Sequence, residues 1–142
     1  MADILVASDA PSVIDEVTAA VGGPDTSVRS VVNGLDVMPA VQERLPDLAV
    51  LDLQIGNMGA MAVSLNLRLE EGGGRLDHVP VLVLLDRRAD VFLARRSAVE
   101  GWLIKPLDPL RLRRAVQAIL AGGTYFDPTD APASSAAALP LR

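Results

Sequence analysis

Short apolar runs alternate with stretches of helical periodicity along most of this chain. Ile4-Leu5-Val6-Ala7 is apolar throughout and is closed by Ser8-Asp9, which predicts a buried strand. Pro11 suits a first helical turn, and Val13, Ile14, Val17, Ala20 and Val21 recur at helical spacing until Gly22-Gly23-Pro24 stops them. Residues 28–32 predict a second strand, and Arg29 within it implies a less covered edge position. Asn33-Gly34 turns the chain, and Asp36 is expected to cap a helix carrying Val37, Met38, Val41 and Leu45. Pro39 is tolerable there because it falls in the first turn. Residues 48–51 form the third apolar run, ended by Asp52.

The second half repeats the rhythm. A loop over 54–59 leads into a helix over about 61–71, stopped by three glycines. Residues 80–85 are wholly apolar, as a central strand should be. A short helix over about 90–98 precedes a fifth strand at Trp102-Leu103-Ile104. Asp108-Pro109 is an N-cap followed by a first-turn proline, and Leu112, Ala115, Val116, Ile119 and Leu120 are expected to face inward up to about 121. Five strands alternating with five helices imply parallel crossovers, hence an α/β fold with a doubly wound five-stranded sheet. The expected domain is 1–121. Residues 122–142 read as an Ala/Pro-rich C-terminal tail without periodicity of its own.

Composition narrows the class. Half the chain is apolar but only 3% is aromatic, so Val, Leu, Ile and Ala must build the core. No apolar run reaches the ~18 residues of a membrane span, and the opening residues lack a basic signal-peptide region. Without cysteine there is no thiol nucleophile, disulfide or zinc–thiolate site. A soluble, cytoplasmic protein is expected. The net charge of −5 argues against general nucleic-acid binding. That charge is uneven, −7 over residues 1–60 and +3 over 61–121.

Candidate chemistry gathers at strand ends. Lys105 is the only lysine beside twelve arginines, and it follows the fifth strand. A lysine is a slim point charge that reaches a single oxyanion, unlike the planar fork of arginine. Asp9, Asp52, Leu85 and Lys105 all stand at the carboxyl ends of strands, where open α/β sheets place their sites.

Four motifs now coincide in order. Ile-Leu-Val-Ala-Ser-Asp, Pro46-Asp47-Leu-Ala-Val-Leu-Asp52, Pro80-Val-Leu-Val-Leu and Trp102-Leu-Ile-Lys105-Pro106 resemble the anchors of the response-regulator receiver domains of two-component signalling, over about residues 3–121. The resemblance implies a flavodoxin-like receiver fold with strand order 2-1-3-4-5, and a signalling module that is not an enzyme. It implies Asp52 as phosphoacceptor and Lys105 as counter-ion to the phosphoryl group. Magnesium would be held, weakly, by Asp9, Asp52 and the Gln54 carbonyl.

Departures from the family pattern qualify that reading. Ser8 replaces the first acid of the pair, and Leu85 stands where the switch Ser/Thr belongs. Leucine cannot donate to a phosphoryl oxygen. Asp86 replaces a small residue and is placed to repel phosphate and pair with Lys105 instead. Tolerated drift is one explanation. The other is an atypical receiver whose phosphorylation is weak or uncoupled from output.

Ala121-Gly-Gly-Thr-Tyr-Phe-Asp-Pro resembles the linker of DNA-binding response regulators, but an Ala/Pro-rich tail follows it, and a stand-alone receiver without an output domain is expected. Function is therefore expected through protein docking, as a regulatory or accessory subunit of a larger multi-subunit assembly. Arg95, Arg96, Trp102, Arg111, Tyr125 and Phe126 are the candidate contacts, because interfaces favour aromatics and arginine. Trp102 has two readings, an exposed anchor or an indole packed beside the fifth strand. The alternative function is a phosphorylatable single-domain regulator, receiving its phosphoryl group from a histidine kinase or relay protein. A small flavodoxin-like enzyme fits poorly, since no Gly-rich phosphate loop follows the first strand and His78 is the only histidine.

Overall fold

The computed structural model describes residues 1–127. Its elements run β1 (Ala2–Ala7), α1 (Pro11–Val21), β2 (Thr26–Val31), α2 (Val37–Glu43), β3 (Leu48–Asp52), α3 (Ala60–Gly72), β4 (Val81–Leu85), α4 (Val91–Arg95), β5 (Gly101–Ile104), α5 (Pro109–Leu120) and β6 (Tyr125–Phe126). Single 3-10 turns at Gly34–Asp36 and Arg88–Asp90 precede α2 and α4.

All six strands pair in parallel, in the order β2-β1-β3-β4-β5-β6. The five expected strands keep the order 2-1-3-4-5, and β6 corrects the count. It lies in the stretch read as tail, so the sheet runs past residue 121. Residues 128–142 of the expected tail lie outside the described residues.

Side chains alternate across the sheet and feed two cores. Ile4, Val6, Leu48, Val50, Leu82, Leu84 and Leu103 pack with the inner residues of α1 and α5. Leu5, Ala7, Leu51, Val83, Leu85 and Trp102 pack with those of α2, α3 and α4. Both faces of β3 and β4 are covered, which is why their sequences are apolar without alternation. Arg29 does sit on an edge strand, and its guanidinium grips Asp3 of β1 at 3.0 Å.

Several local expectations fail for identifiable reasons. The helix α2 stops at Glu43, which leaves Leu45 41% exposed rather than inward. Leu120 is 38% exposed at the last position of α5. Asp36 makes no side-chain cap; the Asn33 side chain instead accepts from the Asp36 N–H and closes the 3-10 turn. The helix α4 is only five residues and is capped at Arg96, and Ala98 adopts a positive φ of 51° in the turn that follows. Asp108 behaves as predicted, accepting from the Leu110 N–H at 2.9 Å.

Candidate functional site

At the carboxyl end of β3, Asp52 is almost fully buried and both its carboxylate oxygens are engaged. Lys105, one residue past β5, donates to Oδ1 at 2.8 Å. The Ser8 hydroxyl, fully buried after β1, donates to Oδ2 at 2.8 Å. The same ammonium donates to Asp86 Oδ1 at 3.0 Å, the pairing expected from the replacement of a small residue. Four residues from the ends of four strands thus form one hydrogen-bonded row.

The row is electrostatically lopsided, with one ammonium facing two carboxylates. Burial works against the charge on Lys105, but hydrogen bonds and attraction from Asp52 and Asp86 outweigh it and raise its pKa above the ordinary lysine value. Leu85 stands directly before Asp86 in the chain, wholly buried in the core. A hydroxyl is therefore missing at this rim, and a carboxylate is added.

The magnesium candidates are less tightly gathered. Asp9 is exposed, and a Cβ on Gly56 would lie 3.4 Å from its Oδ2, so Asp9 faces the loop after β3. Gln54 is exposed in that loop. Among the described residues no cluster of three or more His, Cys, Asp or Glu is arranged to hold a metal. The donor set is two carboxylates and one backbone carbonyl. A magnesium ion fits such a set only while retaining several waters, which is its usual habit with few protein ligands.

The loop itself is braced from below. The Gly34 N–H donates to the Gly56 carbonyl at 2.9 Å, and the Met58 N–H donates to the same oxygen at 2.9 Å. A Cβ on Gly34 would sit 1.7 Å from the Met58 carbonyl oxygen, so only glycine permits this approach.

The partner candidates divide. Trp102 is 6% exposed and packs in the core, so it is no free anchor. Phe126 of β6 covers it at 4.4 Å between ring centroids, and the Arg95 guanidinium lies 5.7 Å from the indole centroid. Arg96 stands 4.6 Å from the Phe92 ring, and Phe92 is 63% exposed. Ala94, Arg95, Val99, Trp102 and Phe126 line a groove of about 320 Å³. Tyr125 is half-buried on the β5 edge. Arg111 is mostly buried and used internally, donating to the Pro106 carbonyl at 2.8 Å and to Asp127.

Sequence reasoning missed three of these roles. Ser8 was read as a lost acid, not as a donor to Asp52. Asp127 and the strand before it were read as tail. The signal was the pair Tyr125-Phe126 between Gly122-Gly123 and Pro128, which is strand chemistry between turn residues.

Over 119 residues the chain is 31% identical to the DNA-binding response regulator MtrA of Mycolicibacterium smegmatis, covering 82% of this chain and 50% of MtrA. It is 24% identical to protein PilH of Pseudomonas aeruginosa, over 86% of this chain and all of PilH. Structurally it is similar to a LuxR-family two-component response regulator from Aurantimonas (TM-score 0.78, 23% identity, 92% of each chain). It is also similar to the chemotaxis response regulator CheY4 of Vibrio cholerae (TM-score 0.73, 20% identity, 82% of this chain and 97% of that one). The chain belongs to the response-regulator receiver domains. No protein-family model matches it. This receiver spans about half the length of MtrA. Among its described residues no helix is long and apolar enough to cross a membrane.

Proposed function

We propose that this receiver acts by protein docking, in the cytoplasm and as an accessory subunit of a larger assembly, with phosphorylation of Asp52 weak or uncoupled from output. The supporting observation is that Lys105 is shared between Asp52 and Asp86 while Leu85 fills the hydroxyl position. In phosphoryl transfer from a histidine kinase or relay protein, an Asp52 oxygen would bond to phosphorus as the P–N bond of a phosphohistidine breaks. The incoming oxyanion needs the ammonium of Lys105 and a hydroxyl donor beside it. Here the ammonium already serves two carboxylates, Asp86 repels the group, and leucine offers nothing. Asp9, Asp52 and the Gln54 carbonyl would hold magnesium, whose charge offsets that of the phosphoryl group when bound.

Docking has better material. Phe92 and Leu93 are exposed on α4, flanked by Arg95 and Arg96. Such a surface steers and anchors an acidic protein partner, while a net charge of −5 leaves little for nucleic acid. The alternative is a phosphorylatable regulator in a phosphorelay, favoured by the buried Asp52 and its 2.8 Å contact with Lys105.

Two measurements separate the readings. Acetyl phosphate with magnesium should leave most of the chain unlabelled by intact mass, and any label should be on Asp52. Partner recovery should survive Asp52→Asn and drop with Arg95→Glu/Arg96→Glu. Near-stoichiometric, stable labelling with recovery lost in Asp52→Asn would establish the phosphorelay reading instead.

A further inference from the structure

The β5 edge is closed by the chain's own residues 125–127, and the closure has the chemistry of a recognition site. The Tyr125 N–H donates to the Glu100 carbonyl at 3.0 Å, and the Asp127 N–H to the Trp102 carbonyl at 3.1 Å. Phe126 lies against the Trp102 indole. Asp127 then enters the protein with a fully buried side chain, and its Oδ2 accepts from the Ile104 N–H at 2.9 Å and from Arg111. Main-chain pairing supplies register, the aromatic supplies contact area, and the carboxylate is read by a guanidinium and a backbone amide.

Few residues hold this closure. The strand β6 is two residues long, Phe126 is 45% exposed, and Gly122 (φ 92°) and Gly123 precede it. Short edge strands of this kind exchange at low free-energy cost compared with the core. Displacing it would uncover Trp102 and the backbone of β5 beside the groove formed by Ala94, Arg95 and Val99.

We propose that residues 125–127 are a displaceable latch, and that the β5 edge beneath takes in trans an extended acidic segment, an aromatic residue followed directly by a carboxylate. The chain's own Tyr-Phe-Asp shows the chemistry of the occupant. Strand addition to a sheet edge is a recurrent mode of peptide recognition, with affinity from the main chain and specificity from alternate side chains. Held in cis, the latch has an effective concentration of the order of millimolar, so the closed chain should reject a dilute competitor.

The test uses the full chain and a labelled peptide, Gly-Thr-Tyr-Phe-Asp, copied from residues 123–127. Asp127→Ala should speed hydrogen exchange at the Tyr125 amide at least tenfold while the Val50 and Val83 amides stay protected. The same variant should bind the peptide at least tenfold more tightly than the parent chain, and a peptide with Ala in place of Asp should lose that gain. Should Asp127→Ala lose protection at Val50, Phe126→Ser serves for the exchange measurement, with the same expectation at Tyr125. Unchanged Tyr125 exchange would overturn the latch. Equal peptide binding by both chains, or binding by neither, would overturn the docking surface.

Discussion

Asp86 shares the ammonium of Lys105 with Asp52, at 3.0 Å against 2.8 Å. Lys105 is therefore a three-body contact, and each partner limits what the other can do. The first prediction concerns the intruder. Asp86 is about a third exposed, so screening holds its repulsion of a bound oxyanion to roughly 1–2 kcal/mol. Asp86→Ala should tighten beryllofluoride binding about tenfold, read by Trp102 fluorescence. An unchanged titration would move the limitation to Leu85 or Ser8.

Ser8 offers a second handle, because it donates to Asp52 from a fully buried position. Ser8→Asp would set two carboxylates against each other, and a buried like-charge pair is unfavourable without a cation. The variant should melt lower than the parent in chelator and gain more from magnesium, since ligand binding to the folded state stabilises by mass action. Calorimetric melting with and without magnesium checks both arms. Equal magnesium gains in the two chains would count against Asp9 and Asp52 as metal ligands.

Alkaline stability tests Lys105, the only lysine, by comparison with Lys105→Met. Burial works against the lysine's charge, but the combined hydrogen bonds and attraction of Asp52 and Asp86 outweigh it and raise its folded pKa above the unfolded value near 10.5. The folded state thus holds that proton more tightly. The associated stability is fully present below pH 10.5 and is lost as pH rises through the folded value. Urea unfolding above pH 10.5 should show a decline in the parent that Lys105→Met lacks. Matching slopes would mean the contacts contribute little.

Asp3 behaves in the opposite sense. Its burial is outweighed by the hydrogen bond and charge of Arg29, with help from Arg44 and Ser27, so its pKa is lowered from 3.8. The stability from this contact is present above pH 3.8 and is lost as pH falls through the folded value. Arg29→Leu should flatten the acid limb of the stability curve in that window, and chemical denaturation from pH 5 downward reads the difference.

Gly34 supports the loop at a distance from the chemistry. A methyl group there meets the Met58 carbonyl at 1.7 Å, and the obstacle is backbone rather than a flexible side chain. Gly34→Ala should cost about 1–3 kcal/mol, the usual range for overpacking, seen as a lower urea midpoint. A neutral result would show that the loop over 54–59 yields easily.

Much of the site was legible because strand ends can be read locally. An apolar run closed by Asp52, and another followed by Lys105, places both residues at one end of a parallel sheet before any contact is known. The pairing of Asp86 with Lys105 was legible for the same reason. The role of Ser8 was not, since the direction of a hydroxyl depends on the carboxylate it meets across β1 and β3. Trp102 was ambiguous because one indole serves equally as anchor or core, and only the packing of α4 and Phe126 decides.

Periodicity, turn residues and the lone lysine determined the alternation of elements, the covered central strands and the end of the sheet that carries the chemistry. These are properties of a few neighbouring residues. The tertiary structure alone decided that Tyr125 and Phe126 form a sixth strand, that Arg111 is spent on Asp127 and Pro106, and that Asp52 has no free oxygen among its contacts with Ser8 and Lys105. The physical reason is that local residues can favour a strand or supply a charge, but which edge the strand joins and which partner the charge meets depend on residues distant in sequence. Each exists because a distant edge, amide or charge is already in place to receive it.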